Sequence, residues 1–68
     1  MIQTNKIRAL IVERGLTQRK VANELGITEK TFYLKMKKGV FTSTEMEALI
    51  KLLNITDPIQ IFFANTVA

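Results

Sequence analysis

The residues best suited to chemistry in this chain are lysines that lie close together. Residues 28–39 contain Lys30, Lys35, Lys37 and Lys38, and Glu29 is the single acid among them. Ammonium groups concentrated on one short segment favour polyanionic partners, nucleic acid above all. The alternative is that these lysines form only a solvated helix face.

Helix start and stop signals enclose the lysine-rich segment. Thr28 can cap the start of a helix, and Gly39 can end it. A preceding helix is predicted to start after Thr17 and to stop at Gly26. Two short helices joined by such a turn form a candidate helix-turn-helix over about 17–38, a motif that can hold its second helix against a DNA groove.

The same kind of punctuation divides the rest of the chain. Thr42 with Glu45 forms a capping box, and Asp57 precedes Pro58 at a first helical position. Five helices are thus predicted, over about 4–14, 18–25, 29–38, 43–53 and 58–64. Apolar residues recur at helical spacing, and Ala22 supplies the small side chain where two helices cross. We therefore predict a compact all-α domain of four to five helices spanning residues 1–68.

Composition excludes several function classes. The 68 residues lack Cys and His, and ten Lys and Arg against six Asp and Glu give a net charge of +4. We find no nucleophile–base pair, metal-ligand set or glycine-rich phosphate loop, so we predict no enzyme activity, metal, cofactor or small-molecule ligand. No apolar run reaches the length of a membrane span, and we expect a soluble, cytoplasmic protein.

Residues 17–36 resemble the helix-turn-helix of the Cro and lambda-type phage repressor family. The features that carry the resemblance are Thr17, Gln18, Val21, Ala22, Leu25, Gly26, Ile27 and Phe32. It extends over about residues 5–55, and the run TFYLKMKKG is most similar to small Cro-like proteins of temperate phages of Gram-positive bacteria. The resemblance implies a transcriptional regulator of a lysis–lysogeny switch that binds double-stranded operator DNA in the bacterial host cell.

The resemblance also implies roles for individual residues. The second helix of the motif would enter the major groove, and its base-reading residues would be Glu29, Lys30, Tyr33 and Leu34. The residues that would contact phosphates are Gln18, Arg19, Thr28, Lys35, Lys37, Lys38, Thr42 and Ser43. Simpler roles stay open for three of these: packing for Tyr33, the helix dipole for Glu29, and a polar first turn for Gln18.

One position departs from the family pattern. The family usually places an apolar core residue three positions after the one matched by Phe32, and Lys35 stands there in this chain. The next apolar residue is Met36. We therefore expect the third helix to be rotated, or one residue longer, near its end.

The C-terminal region is unusually apolar. The apolar residues are Ile55, Ile59, Ile61, Phe62 and Phe63. We predict that Ile59, with Phe62 or Phe63, closes the core, and that the remainder, drawn from Ile59, Ile61, Phe62 and Phe63, forms a patch that contacts a partner. A homodimer would place two recognition helices about 34 Å apart on a palindromic operator. The alternatives are that all these residues are buried in the monomer, or that the protein is an antirepressor that forms a heterodimer with the phage repressor.

Overall fold

The structure, a computed structural model, describes residues 2–62 of the chain. Within this range it contains five α-helices and no strand: α1 (Thr4–Glu13), α2 (Gln18–Leu25), α3 (Glu29–Lys38), α4 (Ser43–Leu53) and α5 (Pro58–Phe62). The predicted all-α class is confirmed, and the first four helices agree with the predicted limits to within one residue. The end predicted for the fifth helix, at residue 64, lies outside the described residues.

The predicted N-terminal caps of the two central helices are formed. The Thr17 hydroxyl oxygen accepts a hydrogen bond from the Lys20 N–H at 3.1 Å, at the start of α2. The Thr28 hydroxyl oxygen accepts one from the Thr31 N–H, also at 3.1 Å, at the start of α3. Each bond satisfies a backbone donor that has no partner inside the helix, so both helices begin at defined residues.

Helices α1 to α4 end in the same way, in a left-handed residue followed by an apolar one. Gly26 has φ +76° after α2, and Asn54 has φ +51° after α4, the one positive φ outside glycine among residues 2–62. The next residue in each case donates its N–H to the carbonyl five residues earlier, and these donors are Leu16, Ile27, Val40 and Ile55. This Schellman pattern turns the chain sharply and returns it toward the core.

The core combines apolar residues from all five helices. Ile7, Val21, Phe32, Leu49 and Leu53 are fully buried, and Ala22 is 1% exposed. They are joined by Ile11, Met36, Phe41, Ile55, Ile61 and Phe62. The predicted inner faces of α1 to α4 are thereby confirmed, with Leu10, Leu25, Met46 and Ile50 packed at the edge of the core rather than inside it.

Helix α5 is oriented differently from our prediction. Ile61 and Phe62 are buried in the core, whereas Ile59 is 56% exposed. The prediction that Ile59 closes the core is therefore wrong, whereas the same prediction for Phe62 is confirmed. The predicted contact patch also loses Ile61 and Phe62, because the monomer already buries them, and Phe63 lies outside the described residues. The sequence did not determine which side of so short and uniformly apolar a helix faces inward.

Two long-range hydrogen bonds tie α1 to the later part of the chain. The Gln3 N–H donates to the Ile61 carbonyl at 2.6 Å, and the Arg14 Nε–H donates to the Leu53 carbonyl at 3.0 Å. Helix α1 packs against α5, while α2 packs against both α3 and α4. Among residues 2–62, every helix falls short of the length and apolar character that crossing a membrane requires.

The burial of Ala22 yields a stability prediction. We expect Ala22→Leu to lower the free energy of unfolding by about 1–3 kcal/mol, because three added carbons must fit into a filled core. Thermal denaturation should show this loss, since a change of about 1 kcal/mol in the free energy of unfolding moves the melting midpoint by roughly 4–8 °C in a domain of this size. Ala9→Leu, at an exposed position of α1, is the control and should change the stability by less than about 0.5 kcal/mol. Equal midpoints for the two variants would contradict tight packing around Ala22.

Candidate nucleic-acid interface

Helix α3 presents one buried face and one exposed face. Phe32 is fully buried and Met36 is 3% exposed. The opposite face carries Lys30, Tyr33, Leu34 and Lys37, which follow the i, i+3, i+4, i+7 spacing of one helix side. All four are exposed, as is Lys38 beside them. The structure thus brings three of the predicted base-reading residues and two of the predicted phosphate-binding residues to one accessible surface, which we call the outer face of α3.

The two uncharged residues of this face are open to solvent. Tyr33 is 55% exposed and Leu34 is 44% exposed. Nearly half of the Tyr33 residue is covered, so the packing role that the sequence left open stays an alternative to base contact. The exposed part of each side chain adds apolar surface to the outer face of α3, where a partner could contact it.

The outer face of α3 is cationic. Within residues 2–62, the ion pairs join Arg14 to Glu13, Lys20 to Glu24, and Lys35 to Glu45. Lys30, Lys37 and Lys38 have no acidic partner within that range. Glu29, in the first turn of α3, likewise has no basic partner there. Three lysines against one glutamate give this end of the molecule an excess of positive charge, which attracts anions over several ångströms.

Lys35 occupies a different position from the other lysines of α3. Its side chain is only 27% exposed, and its Nζ lies 3.1 Å from Oε1 of Glu45 on α4. The Lys35 ammonium, which we predicted to contact phosphate, thus forms an ion pair within the protein that joins α3 to α4. Helix α3 itself continues regularly to Lys38, with Met36 in the core. Met36, four residues after Phe32, is thus the next core residue of α3, and Lys35 lies at the edge of the contact with α4.

The carboxylate of Glu45 contacts Lys35 on α3 and also caps the start of its own helix, α4. Its Oε1 accepts the Thr42 N–H at 2.9 Å, while its own N–H donates to the Thr42 hydroxyl oxygen at 3.1 Å, which confirms the predicted capping box. Burial of the carboxylate alone would raise its pKa. The hydrogen bonds from Thr42 and the ammonium of Lys35 outweigh burial, so the pKa of Glu45 is lowered below its ordinary value.

The remaining predicted phosphate contacts lie at helix starts. Gln18 is partly exposed and Arg19 is exposed at the start of α2, and Ser43 is exposed at the start of α4. Thr42 differs, because its hydroxyl oxygen and its N–H are both engaged in the capping box. The hydroxyl of Thr28 is likewise engaged.

Two hydrogen bonds account for the Thr28 hydroxyl: it accepts from the Thr31 N–H and donates to the Thr31 hydroxyl oxygen at 2.9 Å. For Thr28 and Thr42, capping is thus the role that the structure supports.

Val40 is an exposed residue that the sequence analysis missed. It follows α3 and is 62% exposed, whereas Leu16, Ile27 and Ile55, at the equivalent place after the other helices, pack against the core. The sequence carries no signal for this exposure, since a Schellman ending normally packs its last apolar residue back on the helix. Val40 adds apolar surface at the end of the lysine-bearing helix.

Comparisons of this chain with protein-family models, curated proteins and solved structures gave no match. The resemblance to the Cro and lambda-type repressor family therefore stays a prediction made from its residues.

The environment of Glu45 predicts a pH dependence. Because the folded-state pKa is lowered, the carboxylate contributes stability above the unfolded-state pKa, near 4.3, and that contribution is lost as the pH falls through the folded-state value. Glu45→Gln should lower the melting temperature near pH 7 and lessen its decline below about pH 4.3. Glu47→Gln, exposed on the same helix, is the control and should keep the wild-type profile. An unchanged profile for Glu45→Gln would exclude Glu45 as a source of acid sensitivity.

Proposed function

We propose that the protein binds double-stranded DNA in a sequence-specific manner through the outer face of α3 and regulates transcription, as a Cro-like repressor of a phage switch would. The observation that carries the proposal is the division of α3 into a buried face, with Phe32 and Met36, and a free cationic face. A helix about 10–12 Å across fits the major groove, which is about 12 Å wide.

The proposed division of labour follows from position along α3. Lys30 and Tyr33 lie in the first half of the helix, which enters the groove first in this motif. Lys30 is suited to guanine O6 and N7, and Glu29 to cytosine N4. Lys37 and Lys38, in the last turn, are suited to phosphates, which supply affinity and register rather than sequence preference.

A second function, as an antirepressor, is favoured by the apolar part of the same surface. Tyr33, Leu34 and Val40 are all at least 44% exposed. Apolar and aromatic groups beside cations also suit the surface of an acidic protein partner, and a heterodimer with a phage repressor would use them. We rank this function second because none of the three side chains explains the excess of unpaired lysines.

One pair of measurements separates the two functions. Under the DNA-binding proposal, gel shifts on a library of duplexes should select a palindromic site, with an affinity that falls steeply between 50 and 200 mM salt. Pull-down with the phage's main repressor should then show no tight complex in the absence of DNA. A tight repressor complex without salt-dependent DNA binding would replace the first function by the second.

Lys30 is expected to affect sequence preference. Lys30→Ala should lower the discrimination at one base pair by about 1–3 kcal/mol, because one base-edge donor is lost. Titration of a selected duplex and its single-base variants measures this change. A uniform loss on all duplexes would show that Lys30 contacts the backbone instead.

Lys37 is expected to act without sequence preference. Lys37→Ala should weaken binding to every duplex alike and reduce the slope of log affinity against log salt by about 1, because one phosphate contact is lost. Lys51→Ala, in the last turn of α4, is the matched control and should leave the slope unchanged. A Lys37→Ala slope equal to wild type would remove Lys37 from the phosphate contacts.

A further inference from the structure

Helix α3 has a flank between its buried face and its outer face, and Lys35 lies on that flank. Lys35 and Lys38 are three residues apart, so their side chains leave the same side of the helix. Lys38 is exposed, whereas the ammonium of Lys35 lies 3.1 Å from Oε1 of Glu45. Two lysines thus start from one flank of α3, and an acid of α4 holds one of them.

The carboxylate of Glu45 is fixed in place and cannot follow Lys35 toward a partner. Its Oε1 also accepts the Thr42 N–H at 2.9 Å, in the capping box at the start of α4. The Glu45 side chain is 11% exposed. Departure of the ammonium would therefore leave an acid that is largely shielded from water without its cation, which costs free energy. Both effects keep Lys35 beside Glu45 when a phosphate approaches.

The Lys35–Glu45 pair also presents little charge to a phosphate. An ammonium next to a carboxylate has almost no net charge at a distance, and the carboxylate repels a phosphate that comes near. Lys30, Lys37 and Lys38 have no acidic partner within residues 2–62. Removal of the Glu45 charge would thus add a fourth cation to the three that α3 offers.

We propose that Glu45 limits the strength of DNA binding by withholding Lys35 from the phosphate backbone. Glu45 is a positioning residue, because it acts through Lys35 and does not itself touch DNA. This role rests on the DNA binding proposed above for α3. Neutralising one side chain of α4, outside the DNA interface, should then strengthen binding to every duplex.

The test variant is Glu45→Gln, which removes the charge and keeps an oxygen for the Thr42 N–H, because glutamine also serves in a capping box. Its affinity for a duplex of arbitrary sequence is titrated at 50 and 200 mM salt. The slope of log affinity against log salt should be steeper than wild type by about 1, because one more phosphate is contacted. The gain in affinity over wild type should therefore be about fourfold larger at 50 mM than at 200 mM salt.

Glu47→Gln is the matched control, because Glu47 is exposed on the same helix and the substitution removes the same charge. It should keep the wild-type slope, since no lysine of α3 is released. The double variant Glu45→Gln with Lys35→Gln should also return to the wild-type slope, because the ammonium that Glu45→Gln releases is then absent.

Lys35→Gln alone tests the same role without depending on how well Glu45→Gln folds. Since Lys35 is withheld in the wild-type chain, this variant should keep the wild-type slope. Lys51→Gln, in the last turn of α4, removes the same charge and should behave alike. Lys37→Ala should differ from both and flatten the slope by about 1.

Three outcomes would overturn the proposal. A slope flattened by about 1 in Lys35→Gln would show that Lys35 already contacts phosphate in the wild-type chain. A folded Glu45→Gln chain with the slope of Glu47→Gln would show that release of Lys35 adds no contact. In both cases the wild-type chain binds duplexes, so the function proposed for α3 stands. A wild-type chain without salt-dependent duplex binding would instead remove that function, and this role of Glu45 with it.

Discussion

The packing of Phe32 is the constraint on which the rest of the structure depends. Its side chain is fully buried, and its ring lies 5.9 Å from that of Phe41 at an angle of 49°. The tilted pair fills the space beneath α3 and joins that helix to the segment leading into α4. Because the inner side of α3 is fixed in this way, the positions of the lysines on its outer side are also fixed, and a partner would meet a preformed surface.

A polar contact complements this packing at the other end of α3. The carboxylate of Glu45 binds the Lys35 ammonium and the Thr42 N–H at the same oxygen, so one side chain both begins α4 and contacts α3. The pair is largely shielded from water, with Glu45 11% exposed, so added salt screens it less than it screens the free lysines. The lysines of α3 thus divide between one that orders the fold and three that remain available.

Local signals in the sequence predicted most of the fold. Caps such as Thr17, Thr28 and Thr42 bond within the first turn of their helices. The left-handed residues Gly26 and Asn54 end the last turn of theirs. Both kinds of signal are local, so they can be recognised without knowledge of the tertiary structure. Features that join distant segments were missed: the Lys35–Glu45 pair, the Arg14 bond to Leu53, and the inward side of α5. No spacing rule connects residues ten to forty positions apart, and in α5 both sides are apolar, so periodicity could not orient it.

The bonds from Gln3 and Arg14 have a consequence for the order in which the fold forms. Helix α1 is made early, yet its partners Leu53 and Ile61 are made some forty to sixty residues later. The contact between α2 and α3 closes over a few residues, whereas the contacts of α1 require a much longer loop to close, which costs more chain entropy. We therefore expect α2, α3 and α4 to pack together before α1 docks, so that Ile7 and Ile11 become buried in the last step.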